Sequence, residues 1–259
     1  ALIRELKSLR RGAADADMLS IILDGGALND TLPLAFDLVF DPARSVSVRK
    51  RALGAIEDVR NPDDYGKIMS LTRMDLAAGS RDIWMLDAEF GMLQRQFQDR
   101  IYAGDGLLLL QDYCSFVASH PQSGLLLGNV ATRMAGAEEC EAAQALLMDM
   151  ATGSWGVVAR TCATTAMGCH ARSDRVFSSR WNFLIDNLDR ADSNALTIAL
   201  ASLNRLASME MSGDRASEMK RRGAEIMNIL DRRARELTAT ATNADVLSGI
   251  EALRRTLSK

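Results

Sequence analysis

The 259-residue sequence is poor in aromatics, proline, cysteine and histidine, and it carries no strong charge of either sign. Aromatics amount to 5% of residues, whereas Ala, Leu and Met, which all favour helix, are abundant. Apolar runs are as short as Leu107–Leu110 and Leu125–Leu127, far below the roughly 20 residues that cross a bilayer. A net charge of −3 gives no support to a nucleic-acid partner, because phosphate-binding domains are usually strongly basic. The four cysteines (Cys114, Cys140, Cys162 and Cys169) form no CxxC pair, and His120 and His170 are the only histidines. That spacing matches no zinc pattern, so neither a metal nor another cofactor is expected. Helical cysteines scattered in this way read as small buried hydrophobes in a reducing, cytoplasmic compartment. HExxH, GxSxG, GxGxxG and P-loop motifs are missing, which points to a non-catalytic chain. Strand signals are missing too, since no stretch alternates apolar and polar residues over six or more positions between turns.

What is present is helical periodicity from end to end. It predicts helices at 2–11, 15–24 and 31–40, then pairs near 45–58 with 63–76, 80–98 with 106–119, 123–136 with 138–151, and 154–170 with 174–188. Helices at 193–208, 214–237 and 243–258 complete the chain. Asn61-Pro62-Asp63-Asp64, Ala103-Gly104-Asp105-Gly106, His120-Pro121 and Thr152-Gly153-Ser154 supply the turns, with Asp63, Asp105 and Ser154 as expected N-caps. The four prolines, Pro33, Pro42, Pro62 and Pro121, are expected at helix starts or ends. The first residues, Ala1-Leu-Ile-Arg-Glu-Leu-Lys, form no secretory leader and follow no initiator Met, so the chain is expected to be processed or cut from something longer.

Two helical segments share an Ala-(Leu/Met)-Gly ending: Ala52-Leu53-Gly54 and Ala166-Met167-Gly168. Their glycines lie 114 residues apart, three steps of 38. Gly91 and Gly128 fall near the intermediate places, giving steps of 37, 37 and 40. Glycine inside a helix costs about 1 kcal/mol, and close helix–helix approach is the expected reason for it. Asp41-Pro42 followed by Val48-Arg49 and Ala52-Leu53-Gly54-x-Ile56-x-Asp58 resembles the second helix of a HEAT repeat. Val158, Arg160, Ala163, Ala166 and Gly168 resemble it again. The spacing from Val48-Arg49 to Ala52 is short for that family, and the middle repeats keep little beyond the glycine. The resemblance covers about residues 41–208 and implies an all-α fold: a right-handed α-α superhelix, a HEAT/armadillo-like solenoid of about 5–6 helix pairs. Residues 1–259 then form a single helical-repeat domain, with 1–40 and 209–259 as N- and C-terminal capping helices.

In HEAT-like proteins the second helices line a concave binding face. Their polar sides offer Arg51, Arg95, Arg133, Arg160 and Arg205 here, a ladder suited to an acidic peptide or phosphate groups. Ion pairing with Asp58, Asp87, Glu89 and neighbours is the competing explanation. The expected function is a protein–protein interaction scaffold or adaptor that holds a peptide or partner protein. An alkylpurine DNA glycosylase of the HEAT-like kind is the alternative, echoed only by Trp181 with Asp186 and Arg190. A segment of a bacterial secreted effector or secretion-system component is the third reading. The long 214–237 helix, with Met219, Ile226, Leu230 and Leu237 near heptad spacing, reads as a terminal cap, against a dimer seam or membrane-surface helix. Trp84, Trp155 and Trp181 read as core residues.

Overall fold

The computed structural model describes residues 28–59, 61–79, 82–190, 193–209, 214–237 and 244–258. Among these there are thirteen helices, one 3-10 turn (Pro62–Asp64) and no strand. The helices are α1 (Leu28–Val39), α2 (Val46–Val59), α3 (Tyr65–Ala77), α4 (Ile83–Gln96), α5 (Gln98–Ile101), α6 (Gly104–Ala118) and α7 (Ser123–Gly136). They continue with α8 (Glu141–Thr152), α9 (Val157–Met167), α10 (Asp174–Arg190), α11 (Ser193–Met209), α12 (Asp214–Leu237) and α13 (Ala244–Leu257). The chain is therefore all-α, and bounds from α1 onward fall within three residues of the periodicity map, which lacks only α5. The helices expected at 2–11 and 15–24 lie outside the described residues. Two compact units divide the chain, residues 1–116 and 117–259.

In the first unit α2 packs on α1 and α4, and α3 packs on α4. Val48, Ala52, Leu53 and Ile56 form the buried stripe of α2, as their spacing requires. Phe90 of α4 stacks on Tyr113 of α6 at 4.1 Å between ring centres, both fully buried. Removing either ring costs about 3–5 kcal/mol. Tyr65 meets Phe97 edge-on at 5.4 Å and lies beneath the Arg100 guanidinium. Pro33 sits inside α1 and not at its start, so the helix lacks one backbone donor there.

In the second unit alternate helices form a layer: α7 packs on α9, α9 on α11 and α11 on α13. The intervening helices cover it, with α8 on α7 and α9, α10 on α11, and α12 on α10 and α13. Leu196, Leu200, Leu203 and Leu206 give α11 a fully buried stripe, and every one faces a neighbour. Met219, Ile226 and Leu230 of α12 are buried, while its polar face is exposed. The side chain of Leu237 lies outside the described residues.

The four spaced glycines do not share one environment, which corrects the close-approach expectation. A Cβ added at Gly54 or Gly128 meets nothing within 4 Å, whereas one at Gly168 comes 2.8 Å from the Ser202 backbone. Of Gly54, Gly128 and Gly168, only Gly168, just past the end of α9, is required by close packing, and Gly91 is buried within α4. The expected caps are also displaced. Asn61, not Asp63, accepts the Asp63 N–H at 3.1 Å, because the chain enters a 3-10 turn before α3. Gly104 at φ +48° begins α6 ahead of Asp105, and Gly156 at φ +92°, not Ser154, is the residue immediately before α9. Asp82 caps α4 through the Trp84 N–H at 2.9 Å.

Candidate functional site

The five arginines divide between the units. Arg51 is exposed on α2 and engaged by a neighbour. Arg95 on α4 makes a two-pronged bond to Glu57 on α2, at 2.7 and 2.9 Å, which pushes the guanidinium above its ordinary pKa. Ion pairing is thus the role of Arg95, as the competing explanation holds. Arg133 on α7 is half-buried and engaged, while Arg160 on α9 and Arg205 on α11 are exposed. Three of the five therefore stand on one layer of the second unit.

That layer has a property visible only once its helices are known to be neighbours. None of the residues in α7, α9 or α11 is Asp or Glu, so Arg133, Arg160 and Arg205 carry all the charge of these three helices, whereas α13 adds Asp245, Glu251, Arg254 and Arg255 to the layer. The covering helices carry both signs and pair them, as in Arg175–Glu141 at 2.6 Å and Arg215–Asp174 at 2.6 Å. At the N-terminal ends of α7 and α9 several large apolar side chains face solvent: Leu125 is 56% exposed, Val157 68% and Val158 41%. The start of α7 lies against α9, since the Cys162 thiol, mid-way along α9, donates to Gly124 O at 3.3 Å. Half-buried Trp155 stands just before α9, its indole N–H donated to Asp149 at 2.7 Å. Exposed apolar side chains on a helix that also carries the exposed Arg160 are an arrangement found at protein-binding surfaces.

Charged groups also lie inside each unit. In the first, buried Arg49 on α2 donates from Nε to Val39 O at 2.8 Å and from Nη2 to Asp75 at 2.5 Å. Its Nη2 lies 3.9 Å from Glu89, which is completely buried on α4. Burial foremost, then the neighbouring Asp75, pushes the Glu89 carboxyl well above its usual range, and Arg49 and the Thr72 hydroxyl offset this only in part. Both Glu89 carboxyl oxygens are buried with no hydrogen-bond partner among the described residues, which disfavours the charged form. In the second unit Arg180, 2% exposed on α10, donates from Nη2 to Ala135 O at 2.6 Å and to Gln144 at 3.1 Å, and from Nη1 to Cys169 O at 3.4 Å. Burial pulls its pKa down, opposed by Glu138. Arg180 also lines a groove of about 300 Å³ between α8 and α10, with Leu147, Met148 and Val176 on its walls. Glu138, buried in the turn after α7, accepts the backbone N–H groups of Arg172 and Ser173 at 2.8–2.9 Å and so caps α10 from a distance.

Compared with protein-family models, curated proteins and solved structures, the chain matches none of them. The functional reading therefore comes from geometry. Trp181 is fully buried and stacked on Phe177, so it has no face to offer a DNA lesion; Asp186 is exposed, and the side chain of Arg190 lies outside the described residues. Trp84, at 38% exposure, and Trp155 are not core residues as expected. Cys114 and Cys140 are buried, and Cys162 and Cys169 half-buried. Burial pushes the Cys114 thiol up to about 12 and raises that of Cys162, the reverse of what a reactive thiolate needs. Among the described residues no group of three His, Cys, Asp or Glu is placed to hold a metal.

Proposed function

We propose that the chain is a non-catalytic scaffold of HEAT/armadillo-like helix pairs, coiled as a right-handed superhelix, which binds a peptide or partner protein in the cytoplasm. The observation that carries this is the exposed cationic and apolar face of the α7–α9–α11 layer. The repeat reading has its own support in side-chain bridges that step by about one repeat. Arg95 to Glu57, Arg100 to Pro62 and Cys162 to Gly124 each span 38 residues, Arg175 to Glu141 spans 34, and Arg222 to Asn182 spans 40. Neighbours one step apart in sequence are what a stack of helix pairs produces, because each repeat touches only the next. The non-catalytic reading is favoured because the strongly perturbed carboxyl, Glu89, is sealed inside the first unit where no substrate reaches it.

The test is retention of a stoichiometric protein partner by the immobilised chain from native lysate at mild salt. The scaffold reading falls if the chain retains no stoichiometric partner from lysate and binds no peptide.

A further inference from the structure

We propose that the α7–α9–α11 layer docks an acidic, apolar-bearing segment of a partner protein, whose apolar side chains seat on Leu125, Trp155, Val157 and Val158 and whose carboxylates meet Arg160 and Arg205. This rests on the scaffold reading and gives it a location and a partner chemistry. The three helices pack consecutively and contribute no carboxylate, and the acid at the apolar end, Asp149 of α8, is engaged by the Trp155 indole N–H at 2.7 Å. Arg160 and Arg205 are exposed, in contrast to Arg95, which Glu57 occupies. Leu125, Val157 and Val158 expose apolar area that no described helix covers, next to a tryptophan, one of the side chains that dominate binding energy at interfaces. Charge complementarity selects the sign of the occupant, and the exposed valines and leucine require that it bring apolar groups as well. Duplex DNA fits less well. It presents a phosphate charge about every 1.7 Å of its axis, and three arginines over three helices answer few of them.

The probe is a phage-displayed library of random twelve-residue peptides, selected on the whole chain and followed by titration of synthetic versions of the enriched peptides. Enriched sequences are expected to be net acidic with Leu, Ile or Phe interspersed. Their affinity is expected to fall about tenfold or more in Arg160→Glu/Arg205→Glu and comparably in Val157→Ser/Val158→Ser. The Lys50→Glu/Lys220→Glu variant makes the same change in net charge on exposed residues elsewhere and is expected to bind as the parent does. All the substituted residues are exposed, and helical circular dichroism with an unchanged unfolding midpoint verifies that each variant folds. Enrichment of neutral or basic peptides overturns the proposal, as does equal binding by the Arg160→Glu/Arg205→Glu variant, or labelled duplex DNA binding more tightly than the best peptide. If the variant keeps a lysate partner that the parent retains, the docking site falls and the scaffold reading stands. If neither peptide nor lysate yields a binder, both fall.

Discussion

In residues 1–116 the buried Arg49 meets a carboxylate of α3 and approaches another of α4, whereas in residues 117–259 the buried Arg180 meets main-chain carbonyls and the Gln144 amide. Each guanidinium also bonds a carbonyl at the C-terminal end of an earlier helix: Val39 O of α1 for Arg49 and Ala135 O of α7 for Arg180. Both arginines satisfy orphan helix-end acceptors and differ in how their charge is answered. Carboxylates answer it with groups that titrate, and carbonyls do not. The first unit should therefore feel pH through the Arg49 cluster, whereas the groups bonded to Arg180 do not titrate.

The largest way to sharpen that contrast is Arg180→Met. It leaves Ala135 O, Cys169 O and the Gln144 carbonyl without their donor, at about 1–3 kcal/mol for each buried acceptor, so a loss of about 4 kcal/mol is expected. Urea unfolding with an unchanged slope is the measurement. Arg49→Met comes next, at about 3 kcal/mol, because it strands Asp75, which is 15% exposed and can draw on water. It also removes the cation that restrains the Glu89 pKa, so the pH dependence of stability should extend to higher pH. A loss for Arg180→Met smaller than that for Arg49→Met would break the comparison.

Glu89→Gln should act in the opposite direction. The folded carboxyl has a pKa above its unfolded value, so between those values the native state holds a proton that the unfolded chain releases. That contribution to stability is fully present below the ordinary glutamate pKa and is lost as pH rises through the raised folded one. Gln has nearly the same shape as the protonated carboxyl and carries no ionisable proton. Its unfolding midpoint should exceed the parent's at neutral and alkaline pH, and the slope of midpoint against pH should flatten. A midpoint lowered equally at every pH would show that Glu89 is ionised and paired with Arg49.

Helix positions were legible because they depend on local periodicity, as in the buried 196, 200, 203 and 206 stripe of α11. Buried charges were partly legible: Glu89 falls on the same stripe as Leu86, Phe90 and Leu93, and Arg180 lies between Phe177 and Trp181 on another, so each breaks an apolar face. Glu138 carried no such signal, because the N–H groups it caps lie 34 and 35 residues away. The acid-free group of α7, α9 and α11 was hidden for a related reason. Arg133, Arg160 and Arg205 could be counted from the chain, but which helices pack side by side is not local information.

The smallest expected effect comes from the spaced glycines. Gly54 lies mid-way along α2 in the first unit with open space where a Cβ would go. Gly54→Ala should therefore stabilise the protein by about 0.5–1 kcal/mol, through the helix propensity and the reduced freedom of the unfolded chain. Gly168→Ala in the second unit drives its methyl to 2.8 Å from Ser202 Cα and Ser202 O, which are backbone atoms that cannot turn aside. A loss of about 1–3 kcal/mol is expected there, as α9 and α11 are forced apart. Opposite signs in thermal unfolding would show that one sequence pattern conceals two physical roles. Equal losses at both positions would instead restore a common close approach and, with it, the simple 38-residue period.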